Sequence, residues 1–218
     1  AGDLPDALKG MLDIAYNNCD RLVRLINDIL DIEKISAGKM DFQMKPLALA
    51  PLLTQAIEAN KAYGEERRVT FVLTDIAQDA TVLGDPDRLM QVLANLLSNA
   101  AKFSPENDEV EISLHREGTG FRISVHDHGR GIAAEFQSRI FGKFQQGDSS
   151  DSREKGGTGL GLNIAKSIIE LHNGTIGFDS RPGGGTTFYF SLPELAATAP
   201  LATKLPAAVT KKKSRILI

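Results

Sequence analysis

The sequence predicts an α+β fold, in which helices cover one face of a β-sheet and one long helix precedes them. Three observations support this prediction. Apolar residues recur at alternating spacings of four and three from Leu8 to Ile29, and after residue 68 they recur at every second position. Helical patterns near 86–102 and 159–172 are interleaved with these alternating stretches. Strands have a period of two, and interleaved helices pack on the sheet that they connect.

The long helix starts near Leu4 and extends for about eight turns at the usual helical rise. Its apolar stripe is typical of a helix that packs against another helix, and it comprises Leu8, Leu12, Ala15, Cys19, Leu22, Leu25, Ile26, Ile29 and Leu30. We expect its partner to be the other half of a helical hairpin or a second copy. Cys19 is the sole cysteine, which excludes an internal disulfide, and we interpret it as an interface residue.

The remaining elements follow in order. A second helix is predicted from after Pro46 to about Arg68, and strands are predicted at 69–73, 110–114, 121–125 and 186–192, with Gly118 and Gly120 forming a hairpin turn. A helix near 86 begins with Asp85 as N-cap and Pro86 in its first turn. Residues 194–213 are rich in Ala, Pro and Thr, which predicts a linker.

The charge balance limits the class of partner. The net charge is -3 and the only basic cluster, 211–213, lies in a tail-like segment, so we expect no nucleic acid. No apolar run has the length of a membrane span, and no signal peptide opens the chain. We therefore expect a cytoplasmic location, although a longer parent protein could be anchored to a membrane.

Three polar residues form a stripe on the helix near 86. Asn95, Asn99 and Lys102 follow one another at spacings of four and three, beside the apolar face. Amide oxygens can hold a hard cation and an ammonium group can meet a phosphate. The alternative is a solvated helix face on which two asparagines happen to align.

The strand at 121 ends in the stretch "DHGRGI". Asp127 shares the parity of Phe121 and Val125, which puts its carboxylate on the buried face, whereas His126 and His128 point the other way. A buried carboxylate needs a strong donor, which the exocyclic amine of adenine supplies and guanine does not. We interpret Gly129 and Gly131 as clearing room for a flat ligand. The alternative is that Asp127 caps its own glycine turn.

A glycine-rich stretch, "GGTGLGL" at 156–162, directly precedes a helical pattern. Such a helix start presents unpaired N–H groups and fits a phosphate, although a tight connection would have the same composition. Residues 145–157 before it are polar and small, which predicts a lid or a solvated loop from which Lys143, Arg153 and Lys155 could reach a phosphate.

Together these motifs resemble the catalytic and ATP-binding domain of sensor histidine kinases, in the GHKL superfamily shared with gyrase, MutL and the Hsp90-type chaperones. The resemblance covers residues 4–193. "RLMQVLANLLSNAAKFSP" is similar to the N box, "DHGRGI" to the G1 box, "RIFGKF" to the F box, "GGTGLGL" to the G2 box and "GGGTTFYFSLP" to the closing strand. "LVRLINDILDIEKISAGKM" resembles the second helix of the dimerisation and phosphotransfer hairpin, assigned to residues 1–40.

The resemblance implies a two-layer α/β sandwich of the Bergerat type for residues 41–193, with ATP as substrate and Mg²⁺ as cofactor. It implies that Asn95 and Asn99 bind Mg²⁺ and phosphates, and that Asn95 and Lys102 are catalytic. The implied nucleotide-binding residues are Asn95, Asn99, Lys102, Phe103, Asp127, Gly129, Gly131, Ile132, Gly157, Thr158, Gly159, Leu160, Gly161, Leu162 and Thr186.

The family's phosphate-accepting histidine lies in an H-E-x-x-T-P-like motif that this sequence lacks. The resemblance therefore implies a kinase fragment whose acceptor is a histidine-containing helix of the same or a second subunit. The expected parent is a homodimer, with a response regulator or receiver domain as partner, and residues 214–218 resemble a receiver's first strand.

Two alternatives stay open at this stage. One is an ATPase or serine-directed kinase of the same superfamily, whose ATPases carry a glutamate at the place of Asn95. The other is a non-enzymatic interaction module that binds partners through the apolar stripe.

Overall fold

The computed structural model describes residues 6–145 and 158–195. Its elements are α1 (Asp6–Ser36), β1 (Lys45–Ala48), α2 (Leu49–Glu66), β2 (Val69–Ile76), β3 (Thr81–Gly84), α3 (Pro86–Phe103), β4 (Asp108–Glu117), β5 (Gly120–Asp127), α4 (Ala134–Gln137), α5 (Gly161–Leu171), β6 (Thr175–Ser180) and β7 (Thr186–Pro193). None of the helices in the described ranges is both long and apolar enough to cross a membrane.

Five strands form the main sheet, in the order β2-β4-β5-β7-β6. Strands β2 and β4 are parallel, and the other neighbours are antiparallel. Helix α3 packs between α2 and α5 and against β5, so the helices form one layer over one face of the sheet. The predicted α+β sandwich is therefore confirmed.

The core lies between the two layers and follows the alternation in the strands. Val110, Ile112 and Leu114 of β4 are completely buried, and residues between them are half-buried. The β5 residues of the same parity, from Phe121 to Val125, are at most 1% exposed. Burying each such side chain contributes about 1.5 to 3 kcal/mol relative to exposure in water, which fixes the face that β5 turns towards the helices.

Helix α3 begins where the sequence predicts. The Asp85 side chain accepts hydrogen bonds from the amides of Asp87 at 3.0 Å and Arg88 at 3.2 Å, which caps the helix. Burial raises the pKa of Asp85, but these bonds and a third from the amide of Gln43 outweigh it and hold the pKa below its ordinary value. The cap therefore ties the segment after α1 to the start of α3.

Several boundaries differ from the predictions. Residues 45–48 pair with β3, so α2 begins at Leu49. Strand β6 was not predicted because only two apolar residues alternate there, Ile176 and Phe178, and Gly and Asp are uncommon in strands. Gly120 lies within β5 and not in the turn, and a Cβ there would collide with the carbonyl of Leu192.

The predicted linker starts too early. Leu195 donates its amide to the carbonyl of Thr81 at 2.9 Å, and Glu194 forms an ion pair with Arg116, so both residues belong to the folded domain. The rest of the predicted linker and the receiver-like segment, 196–218, lie outside the described residues.

Candidate functional site

The polar stripe of α3 faces the glycine-rich start of α5. The side-chain amide of Asn95 donates to the carbonyl of Gly161 at 3.1 Å. A Cβ on Gly161 would lie 3.0 Å from the Asn95 amide oxygen, so the two elements are in close contact. Asn99 is half-buried and its amide has no hydrogen-bond partner among the described residues, which leaves it open to a ligand.

Two cations lie near one aromatic ring at the end of α3. The Lys102 ammonium is 4.9 Å and the Arg130 guanidinium 6.0 Å from the centroid of Phe103, whose side chain is 38% exposed. Both distances are in the range of cation–π attraction. The ring of Phe103, near the end of the N box, therefore has two positively charged side chains beside it.

The carboxylate of Asp127 lies at the end of β5 and is 3% exposed. Its Oδ1 accepts a hydrogen bond from the amide of Gly129 at 2.9 Å. Burial raises the pKa of Asp127, and hydrogen bonds from the Gly129 and Thr186 amides and the nearby His126 oppose this shift. The predicted burial of Asp127 is confirmed. The alternative interpretation, a cap on its own glycine turn, is also observed, and the contact with adenine stays a prediction.

Thr186 lies opposite Asp127 in the β5–β7 pairing and is 4% exposed. Its hydroxyl is 2.9 Å from the hydroxyl of Ser180, which accepts the amide of Ile132 at 2.8 Å. Ser180 therefore joins the G1 turn to the closing strand. Ser180 was not predicted as a site residue because it ends strand β6, which the sequence pattern does not reveal.

The structure corrects the interpretation of the two glycines after Asp127. A Cβ on Gly129 would collide with the carbonyl of Phe103, and one on Gly131 would collide with the carbonyl of Arg181. Gly131 also has a φ of +71°. These positions need glycine because other backbone segments approach them closely. The space beside each glycine is filled by protein atoms and not by a flat ligand.

The G2 stretch turns sharply into α5. Gly159 has a φ of +71°, and the hydroxyl of Thr158 accepts the amide of Leu160 at 3.2 Å. The N-cap residue of α5, Leu160, makes no side-chain capping bond among the residues that the structure describes, whereas Asp85 caps α3. The first-turn amides of α5 can therefore receive an anion. Gly157, Arg153 and Lys155 fall in 146–157, which lies outside the described residues together with most of the predicted lid.

Three of the predicted nucleotide-binding residues have side chains in the core. Leu160 is completely buried, and Ile132 and Leu162 are half-buried and pack against the core. Leu160 therefore offers a ligand no side-chain surface. Its amide donates to the hydroxyl of Thr158, and a contact of Leu160 with a nucleotide stays a prediction.

The structure brings two further residues to this site that sequence reasoning did not identify. Asp28 of α1 accepts a hydrogen bond from the hydroxyl of Thr158 at 2.7 Å, and Asp31 accepts one from the amide of Gln91 at 2.7 Å. Their spacing of three in "NDILDI" puts both carboxylates on one side of the helix. That spacing was the only signal in the sequence, and it does not specify a partner.

A cavity of about 280 Å³ lies between the ends of α2 and α3. Its lining comprises Glu66, Arg67, Ala101, Lys102, Ser104 and Glu106. Lys102 is the one residue that it shares with the predicted site, so this cavity is separate from the residues around Asp127 and Thr158.

Comparison with known proteins matches residues 84–196, from the start of α3 to the end of β7, to the family described as "Histidine kinase-, DNA gyrase B-, and HSP90-like ATPase". The chain belongs to this family. The match includes Asn95, Asp127, Gly161 and Thr186.

The relatives narrow the assignment within the family. The circadian input-output histidine kinase CikA of Synechococcus elongatus is 37% identical over 203 residues, covering 92% of this chain and 27% of CikA. Full-length ShkA in complex with AMPPNP superposes with a TM-score of 0.75 and 29% identity, covering 92% of this chain and 42% of ShkA. The chain is thus the ATP-binding catalytic domain of a sensor histidine kinase, and it spans about a quarter of the length of CikA.

A second similar structure contains a partner. Histidine kinase ThkA in complex with the response regulator protein TrrA superposes with a TM-score of 0.69 and 26% identity. The match covers 88% of this chain and 53% of ThkA.

Proposed function

We propose that this chain binds ATP together with Mg²⁺ and catalyses transfer of the γ-phosphoryl group to a histidine of a separate helix. The observation that carries the proposal is the contact between Asn95 and Gly161. It joins the amide stripe of α3 to the glycine-rich start of α5, so cation ligands and phosphate-binding amides face one site.

At the adenine end, Asp127 is the acceptor for the exocyclic amine. The carboxylate is buried, it is held by the amide of Gly129, and Thr186 lies beside it. A buried carboxylate is stabilised by a donor, and adenine offers a donor where guanine offers an acceptor. This chemistry favours ATP over GTP.

At the phosphate end, the first-turn amides of α5 and the hydroxyl of Thr158 are donors for phosphate oxygens. The described residues contain no group of three His, Cys, Asp or Glu side chains that could hold a metal ion. Amide oxygens of Asn95 and Asn99, with phosphate oxygens, are therefore the donor set for Mg²⁺, which prefers oxygen and keeps several waters. When bound, Mg²⁺ neutralises charge on the transferring phosphates, and we assign Lys102 to the same task.

The four histidines of the chain are poor acceptors. His172 is buried, with one ring nitrogen 2.9 Å from the amide of Asp85 and the other 2.8 Å from the carbonyl of Ile168. His126 is bound to the hydroxyl of Thr187, His128 lies beside Asp108, and His115 is half-buried in β4 opposite Arg122. We therefore assign the acceptor to a histidine on a separate helix that pairs with α1, in the same or a second subunit.

The exposed stripe of α1 supports that hairpin and a homodimeric parent. Leu12, Leu22 and Ile26 are each about half exposed, although they are apolar. A face of this kind needs a partner helix to bury it. By analogy with ThkA and TrrA, we assign the aspartate of a response regulator as the next recipient of the phosphoryl group, in the cytoplasm.

Phosphotransfer can be tested by incubating the chain with labelled ATP, Mg²⁺ and a separately made hairpin that carries the H-E-x-x-T-P-like motif. We expect acid-labile label on the hairpin and none on the chain. The control hairpin has its histidine replaced by glutamine. ATP binding without label on any supplied hairpin would contradict the kinase assignment, and label on the chain itself would contradict the missing acceptor.

A further inference from the structure

Helix α1 docks on the catalytic domain through two carboxylates one turn apart. Asp28 accepts from Thr158 at 2.7 Å, and Asp31 accepts from Gln91 at 2.7 Å and lies 3.4 Å from the guanidinium of Arg88. The next residue, Ile32, is 7% exposed and joins the core. The last turns of α1 are therefore held against α3 and the start of α5.

The single hydroxyl proton of Thr158 is already used in this arrangement. The hydroxyl donates this proton to Asp28 and accepts the amide of Leu160 at 3.2 Å. A threonine hydroxyl has one proton to donate. While Thr158 is bound to Asp28, it cannot donate to a phosphate oxygen.

Electrostatic repulsion also opposes the presence of Asp28 and a phosphate at the Thr158 loop at the same time. Asp28 approaches the same loop that we assign to the phosphates, and its neighbour Asp31 adds a second negative charge. Arg24 offsets part of the charge of Asp28, and Arg88 offsets that of Asp31. Burial raises the pKa of Asp28, and the bond from Thr158 opposes that shift, so the carboxylate depends on this hydroxyl for its stabilisation. A phosphate in the loop would take the hydroxyl away and repel the carboxylate.

We propose that Asp28 and the terminal phosphate of the nucleotide compete for Thr158, so that docking of α1 and binding of a nucleoside triphosphate oppose each other. This inference rests on the proposed ATP site. Coupling between two binding events is reciprocal: ATP weakens the hold of the catalytic domain on α1, and a docked α1 weakens ATP binding. The helix that carries the dimer face is thereby released when the site is loaded.

The test compares AMPPNP binding to three proteins by titration calorimetry with Mg²⁺. Asp28→Asn removes the charge and weakens the bond to Thr158, and Glu33→Gln is the matched control, because Glu33 is exposed on the same helix. We expect Asp28→Asn to bind AMPPNP about five- to a hundredfold more tightly than the wild type, in the usual range of allosteric coupling. Glu33→Gln should match the wild type. The gain should be smaller for ADP, which lacks the terminal phosphate.

The outcomes separate the two proposals. Equal binding of AMPPNP to all three proteins, or weaker binding to Asp28→Asn, would contradict the proposed competition for Thr158. The proposed ATP site would be unaffected by either result. Absence of binding to all three would overturn both.

A second measurement follows the helix itself. Nitroxides on the sole cysteine, Cys19, and on Asp75→Cys report the distance between α1 and the sheet by pulsed electron resonance, in protein diluted with unlabelled chain. We expect AMPPNP to broaden the distance distribution of the wild type, and Asp28→Asn to show the broad distribution without nucleotide. An unchanged distribution at saturating AMPPNP would overturn the proposal.

Discussion

The side-chain amide of Asn95 is hydrogen-bonded to the carbonyl of Gly161 at 3.1 Å, which joins the middle of α3 to the first residue of α5. The bond uses the amide nitrogen of Asn95 as donor and leaves its oxygen as an acceptor or metal ligand. One side chain can therefore fix the geometry of the phosphate-binding turn and contribute a ligand for Mg²⁺.

Replacing Asn95 by alanine should remove both contributions. We expect Asn95→Ala to weaken AMPPNP binding about ten- to a hundredfold in Mg²⁺, for a loss of roughly 1.5 to 3 kcal/mol of charge-assisted hydrogen bonding. The ratio of affinities with Mg²⁺ and with EDTA should fall as well. The control is Asn60→Ala, because the Asn60 amide bonds within α2 to the carbonyl of Ala56. An unchanged Mg²⁺ dependence in Asn95→Ala would remove Asn95 from the metal site.

Much of this site could be predicted because local chemistry determines it. Strand parity places Asp127 on the buried face, and Asp85 followed by Pro86 marks the start of α3. The contact between Asp28 and Thr158 could not be predicted, since 130 residues separate them and either side chain could as well be solvated. Strand β6 could not be predicted for a related reason. Gly177 packs against the ring of Tyr189, and such a long-range contact leaves no apolar alternation in the sequence.

A glycine substitution separates backbone strain from steric collision. Gly131 and Gly183 have φ values of +71° and +75°, but a Cβ on Gly183 meets nothing within 4 Å, whereas one on Gly131 collides with the carbonyl of Arg181. We expect Gly183→Ala to lower the free energy of unfolding by about 1 to 2 kcal/mol. Gly131→Ala should lower it by about 4 kcal/mol or more, because the backbone must move. Urea unfolding measures both, and equal losses would mean that the G1 turn adapts to a methyl group.

His172 is buried and accepts a hydrogen bond from the backbone, so its loss should lower the stability of the fold. Its Nε2 accepts the amide of Asp85 at 2.9 Å, and its ring packs edge-on against Phe42. His172→Phe keeps an aromatic ring but leaves the Asp85 amide without its acceptor, which should cost about 1 to 3 kcal/mol of unfolding free energy. His128→Phe is the control, since His128 is exposed. A His172→Phe protein as stable as the control would show that the Asp85 amide finds another acceptor.

Asp127 should oppose stability and support binding. Burial raises its pKa above the ordinary value of 3.8, so between the two values the folded chain binds more protons than the unfolded chain. The stability that this proton contributes is present below pH 3.8 and is lost as the pH rises through the folded pKa. At neutral pH, Asp127→Asn should therefore raise the melting temperature of the nucleotide-free chain, and the gain should shrink as the pH falls towards 4. Asp75→Asn, at an exposed carboxylate, should show neither effect.

The same Asp127→Asn substitution should change which base is bound. The asparagine oxygen can still accept the amide of Gly129, which leaves the NH₂ group, a donor, facing the base. Adenine presents its own donor there, so we expect ATP affinity to fall about ten- to a hundredfold. Guanine presents an acceptor, so the preference for ATP over GTP should narrow or reverse. Competition between the two nucleotides in calorimetry measures this change, with Asp75→Asn as the reference. A variant that melts higher yet keeps the wild-type preference for ATP would place the adenine amine away from Asp127.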